Sequence, residues 1–394
     1  MARSQTPWRL VILAVMIIVV STQPVFLLGA AFLDIGPEFG FGTTGLGALT
    51  ALFFLTASIS SAPLGKVVQR IGWQRAMRIN ASVSGALLVA FAVGARNLTT
   101  FAALMIGSGV VYGLANPAAN QALADHVDPR HRALMFGLKH AGIPSSTLLA
   151  GLAIPLVIVR FDWRASYALA AVVAIVVWVL IPRGPASREP RPGGEIDPRR
   201  FVPPMGSPLL IGLAVGAALA TWAAIALSTY LVAAAVDKGL SEVEAGWLLF
   251  AGSAASIGGR VAAGQVTDRL GGRGFAAIVS LTATGVIFFA LLSAATGIVF
   301  AVLVLVAFAT GWGWPGLMTY TVVNANSGSA AASSGITQAG IFFGAGVGPI
   351  VLGWVAETWS FDTVWLVVAA ALALAAVTVA SVGQLAVSRR SVSS

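Results

Sequence analysis

Two long basic side chains stand inside stretches of this sequence that otherwise carry almost no charge. Lys139, followed at once by His140, lies seven residues after Arg132, and Arg260 lies eight residues before Asp268. If both stretches are helical, about 1.5 Å of rise per residue puts each cation on the order of 11 Å in from the nearest charged boundary. An ionisable group buried in an apolar span is expensive and by default marks a pathway. The pair would suit an anion: a guanidinium can grip a carboxylate through two parallel hydrogen bonds, an ammonium adds a point charge, and His140 can exchange a proton near neutral pH. No Asp or Glu falls in the middle of an apolar stretch, Asp34 being the nearest, so a site built from Arg260, Lys139 and His140 would be electropositive. Long basic side chains near helix ends can also reach back to headgroup level, which would leave both residues as mere anchors.

The elements that must hold these residues are transmembrane helices. The chain has 394 residues, 58% of them hydrophobic and 9% charged, with no cysteine and three histidines, and its mean hydropathy is +0.90. So few charges cannot cover a water-soluble surface. Without cysteine there are no disulfides, and a metal site is not expected. No GxxxxGK[ST] run supplies a nucleotide engine. We expect no enzyme activity and no cofactor. The net charge of +9 sits in short loops between apolar runs, a topology signal and not a nucleic-acid surface. Spans of about 20 apolar residues fall at 9–33, 45–64, 76–95, 100–122, 133–158 and 164–182, and again at 208–235, 243–265, 274–294, 298–322, 333–356 and 363–385. The first is too long for a signal-peptide core of about 7–15 residues, so it reads as a first membrane helix. A polar stretch rich in Pro, Gly and Arg divides the chain into residues 1–182, a linker at 183–207, and residues 208–394.

The two halves repeat. GQVTDRLGGR at 264–273 has a degraded echo, GKVVQRIGWQR, at 65–75, with the two glycines 199 residues apart. Asn116-Pro117 pairs with Trp314-Pro315, and FGLKHAG at 136–142 with SGITQAG at 334–340, both displaced by 198. The pattern G-x-x-x-D-R-x-G-R/K is similar to the cytoplasmic-loop signature of the major facilitator superfamily of secondary transporters. It is met by Gly264, Asp268, Arg269, Gly271 and Arg273, and in the first copy by Gly65, Arg70 and Gly72, with Gln69 where the acid would be. The resemblance implies an all-α membrane protein of twelve transmembrane helices in two pseudo-symmetric six-helix bundles, working by alternating access as a monomer in the lipid bilayer, with both signature segments as gates. Seventeen of the 23 Lys and Arg residues fall on the side of the termini and four on the other, so the termini are expected to be cytoplasmic in a cell (inner or plasma) membrane.

The spacing R-x-x-x-G-x-x-x-D, here Arg260, Gly264 and Asp268, also resembles the eighth helix of the monocarboxylate and oxalate/formate branches, where the arginine binds carboxylate. The fifth helix lacks the Gly-Pro pair of the drug-exporting branches, reading GIPSSTLLAG instead. Further polar or aromatic candidates for lining the pore are Gln23, Tyr112, Asn116, Asn120, Trp222, Tyr230, Trp312, Trp314, Tyr320, Phe342 and Gln338, the last in the position symmetric to His140. The expected function is proton-coupled uptake of a small organic anion, a carboxylate by preference, with a proton-coupled exporter of drugs or metabolites as the alternative. The resemblance further places the signature acid beside the first turn of helix five, around residues 132–134, where a carboxylate gains roughly 0.3–1 kcal/mol from the helix dipole. Asp268→Asn should therefore open the cytoplasmic side to labelling of introduced cysteines, while Gln69→Ala does much less. Equal labelling of the two variants would remove the asymmetry.

Overall fold

Within a bilayer a backbone must satisfy its own polar groups, so long apolar segments become helices. The structure, a computed structural model, describes residues 7–126, 135, 138–183, 205–269, 274–326 and 330–393, and every regular element among them is helical. The first half holds α1 (Pro7–Ala30, followed by a short helix Phe32–Phe39), α2 (Thr43–Ile71), α3 (Trp73–Gly94) and α4 (Leu98–His126). It continues with α5 (Gly142–Ala153, prolonged by a π turn, Ile154–Ile158) and α6 (Trp163–Leu180). The second half opens with α7 (Ser207–Ile225, a π turn Ala226–Tyr230, then Leu231–Asp237), α8 (Glu242–Arg269) and α9 (Gly274–Ala294). It ends with α10 (Gly297–Gly311 and Pro315–Ala325), α11 (Ala330–Thr358) and α12 (Phe361–Ser393).

Ten of these are long and apolar enough to cross a membrane. The two that are not are α5 and α8, the helices that carry the cations. The α5 helix falls short because the chain turns at His140 and Ala141, so the expected continuous span 133–158 is interrupted. Polar residues and five glycines lower the hydropathy of α8. The span expected at 298–322 is likewise two pieces, parted at Trp312, Gly313 and Trp314. The turn between α9 and α10 does fall at Thr296 and Gly297. Between α2 and α3 the expected charged hairpin is almost all helix: Gly72 alone is non-helical, at φ 81° and ψ 156°, a conformation open to glycine and strained for other residues.

The packing repeats with the sequence. The pairs α1–α5, α1–α6, α2–α4, α3–α4 and α3–α6 of the first half recur as α7–α11, α7–α12, α8–α10, α9–α10 and α9–α12. Lipid tails are as apolar as leucine, so helices associate in a membrane through close approach at small residues. Gly142 meets Val15 and Ile18 where α5 crosses α1, and Gly340 meets Ala214 at the equivalent crossing of α11 and α7.

Two further crossings join the halves, α2 with α11 and α5 with α8. They too are equivalent: a Cβ on Gly47 would collide with the Pro349 carbonyl, and one on Gly246 would lie 2.9 Å from Pro155 and 3.0 Å from the Gly151 oxygen. Both lie toward the end of the bundle far from the termini. There Thr43 Oγ1 donates to the Gly353 carbonyl at 2.9 Å, and the Thr44 N–H donates to Glu357 Oε2 at 2.7 Å. Gly42, the residue before α2, makes no side-chain cap, so a carboxylate of the opposite half caps this helix. Toward the terminus end, by contrast, a Cβ on Gly258, Gly264 or Gly335 would meet nothing within 4 Å among the described residues.

Gly47→Val should therefore prevent closure of the far end, and Glu357→Ala should weaken it by about 1 kcal/mol, the size of a helix cap. Cysteines introduced near Thr43 and Gly353 should label faster in both variants than in the parent. Unchanged labelling in Gly47→Val would show that the crossing is not needed for closure.

Candidate functional site

The two interrupted helices, α5 and α10, both meet α8, and the interruptions explain the site. In a regular helix the His140 carbonyl would accept from the N–H four residues on, but that residue is Pro144, which has none. Pro144 is at ease in the first turn of Gly142–Ala153, where N–H groups lack partners anyway. In the other half, Gly311, Gly313 and Pro315 bracket the break in α10, which ends the upper piece at Trp312 with its carbonyl unclaimed.

Arg260 of α8 reaches both. Its Nη1 donates to the His140 oxygen at 2.6 Å and its Nε to the Trp312 oxygen at 3.1 Å, while Cζ lies 5.6 Å from the centre of the Trp312 ring. A guanidinium thus bridges the two halves at the carbonyl ends of two broken helices, where the helix dipole favours a cation. Nη2 makes no hydrogen bond among the described contacts. Lys139 is 4% exposed, and its Nζ donates to Asn116 Oδ1 at 3.1 Å and Asn120 Oδ1 at 2.8 Å, one turn apart on α4. The His140 ring lies within electrostatic reach of both cations. Neither Lys139 nor Arg260 turns back to headgroup level. Each ends on neutral oxygens in the interior, and among the described residues neither forms an ion pair.

Broken helices, pseudo-symmetric halves and charged groups between them are features that secondary transporters share. A family model described as Major Facilitator Superfamily matches residues 12–339 and 213–390. The chain belongs to the major facilitator superfamily. Two solved structures of a bacterial homologue of the human lysosomal transporter Spinster resemble this superfamily member closely in fold. One is inward-facing and occupied, with a TM-score of 0.66 and 15% identity over 97% of each chain. The other is inward-facing and unoccupied, with a TM-score of 0.67 and 15% identity over 97% of this chain and 98% of that one. No curated protein matches in sequence. The chain is a multi-pass membrane transporter of this superfamily.

The remaining sequence candidates divide. Asn116 joins the cluster through Lys139 and Trp312 through Arg260. Tyr112, one turn from Asn116, stacks on Phe53 at 5.5 Å and meets Phe342 of the other half edge-on at 6.2 Å. Gln23 donates to the Ser146 carbonyl at 3.3 Å and so ties α1 to α5. Tyr230 is fully buried and bonded to the Pro349 carbonyl at 2.5 Å, beside the crossing at Gly47, and Trp222, half-buried, packs on Gly348. Gln338 makes no described contact with the cluster. Asn120, also a sequence candidate, lies one turn beyond Asn116 and completes the seat of Lys139. Of the gating residues, Gly65, Gln69 and Arg70 lie in the last turns of α2, with Gln69 and Arg70 exposed, and Gly264 and the backbone of Asp268 and Arg269 lie in α8. Gly271 and Arg273 fall outside the described residues, as do positions 132–134, where the partner of Asp268 was expected.

Removing the guanidinium leaves two buried carbonyls without a donor, each costing about 1–3 kcal/mol. Arg260→Ala should lower the unfolding temperature and abolish transport. Arg260→Lys, whose ammonium lacks the planar fork, should recover stability in part and activity hardly at all. The measurements are thermal unfolding in detergent and uptake in liposomes. Parental activity in Arg260→Lys would show that charge alone suffices.

Proposed function

We propose that this transporter carries a small organic anion, a carboxylate by preference, by proton-coupled uptake. The observation that carries the proposal is that Lys139 and Arg260 are seated on neutral oxygens alone, so the site keeps its positive charge. A substrate carboxylate would accept from Arg260 Nη2 and from Lys139, and its negative charge would offset two cations that nothing else among the described residues neutralises. His140, which directly follows Lys139 and whose carbonyl receives Arg260, is the group we assign to proton exchange.

In this reading residues 1–182 and 208–394 rock about the site as two units joined by the linker at 183–207, in a monomer. The excess of Lys and Arg at the terminus end supports cytoplasmic termini in a cell (inner or plasma) membrane. In that orientation the far-end crossings would close the outside. Asp268, Arg269 and the segment 65–72 would meet in the opposite state, closing the cytoplasmic end.

Purified protein screened for thermal shift should be stabilised by one or more small carboxylates and not by lipophilic cations. An inward-directed proton gradient should accelerate uptake of the same carboxylate into liposomes. Stabilisation by cations alone would reject the anion reading and favour a drug exporter.

A further inference from the structure

A second site lies on the outer flank of the first half, between α3 and α6. Neither helix packs against the opposite half. Between them a groove of about 260 Å³ is lined by Ala81, Gly85, Val89, Ala174, Ile175 and Trp178, among others. Val89 and Ile175 are exposed, so the groove opens sideways to where lipid tails lie. At its terminus end two arginines converge on one indole: Cζ of Arg78 lies 5.8 Å and Cζ of Arg183 5.7 Å from the centre of the Trp178 ring. Arg78 Nη2 donates to the Ile181 carbonyl at 2.8 Å, while Nε of the same side chain is buried without a partner. No acidic side chain pairs with either arginine among the described residues.

The pseudo-symmetric half lacks all of this. Gly85 corresponds to Gly285 and Ala174 to Leu372, displaced by 200 and 198. A Cβ at Gly85 would meet only the Ala174 methyl, at 3.3 Å, whereas at Gly285 the Leu372 side chain already fills the space, at 3.1 Å. At the same displacements Ile278 stands 200 residues after Arg78 and Ser381 stands 198 after Arg183. The open groove and its two cations therefore occur together in one half and are absent together in the other.

We propose that this groove binds one anionic phospholipid. Its phosphate would sit on Arg78 and Arg183, and an acyl chain would run along the groove toward Val89. The chemistry is that of a membrane lipid: the apolar groove suits an acyl chain, and two arginines beside one indole, Arg78 half-buried and Arg183 exposed, select a negative headgroup. A soluble phosphate would use the arginines and leave the apolar groove without purpose.

The test uses the full-length transporter in neutral detergent with added phosphatidylglycerol, phosphatidylcholine of the same chains, or inorganic phosphate. Binding is read by native mass spectrometry and by the shift in unfolding temperature. Phosphatidylglycerol should bind in preference to phosphatidylcholine, with about a fivefold loss of affinity for each arginine replaced by Ala. Because Arg78 also holds the Ile181 carbonyl, a second variant guards against misfolding. Ala174→Leu copies the filled arrangement of the other half, keeps both arginines, and should abolish the preference while leaving the unfolding temperature of lipid-free protein near the parent's. Equal binding of the two lipids, an equal shift with inorganic phosphate alone, or an undiminished preference in Ala174→Leu would each overturn the proposal.

Discussion

The structure depends on a positive charge that the backbone itself solvates. Arg260 is tolerable in the interior because two helix breaks offer it carbonyl oxygens, and the breaks are tolerable because the guanidinium satisfies them. Each defect is the remedy for the other. The arrangement also ties the halves together, since one oxygen comes from each. A carboxylate partner in place of the carbonyls would have held the arginine as firmly but would have cancelled the charge. Carbonyl dipoles hold it without doing so. Lys139 follows the same rule with the side-chain oxygens of Asn116 and Asn120.

The fold was legible because two independent signals agreed. Hydropathy located most of the helices, and the displacement of 198 to 200 residues placed the turn at Thr296 and Gly297 where hydropathy offered no boundary. The same displacement relates contacts that no span count would reveal, such as Gly47 against Pro349 and Gly246 against Gly151. What escaped was backbone irregularity. Hydropathy weighs side chains, whereas the break at His140 follows from a missing N–H on Pro144, four residues later. That signal was present, but it speaks of hydrogen-bond pairing and not of polarity. The cations were therefore found by type and depth, while the oxygens that seat Arg260 belong to the main chain and have no letter in the sequence. Tyr230 shows the converse: an aromatic residue that looks suited to a pore is buried and bonded to the Pro349 carbonyl.

Duplication fixed the positions of contacts without fixing what fills them. Where α4 crosses α2, Gly109 lies against the backbone carbonyl of Phe53. Where α10 crosses α8, the glycine is Gly252 and the ring is Phe308, the same two positions with the small and large partners exchanged. Asn116-Pro117 sits in an unbroken α4, while its counterpart Trp314-Pro315, with Gly311 and Gly313 nearby, ends in a break. Two copies of one bundle have thus become unequal in the places where chemistry is possible, one supplying Lys139 and His140 and the other Arg260.

The joint at Gly72 sets how far these parts can move independently. One non-helical residue links α2 to α3, and consecutive Cα atoms are about 3.8 Å apart. Such a joint can swivel but cannot stretch. A slide of α2 along its own axis is therefore handed to α3 almost undiminished, and through α3 to α6, which packs on it. The crossing with the other half and the lipid-facing flank then act as the two arms of one lever, with a glycine at its pivot.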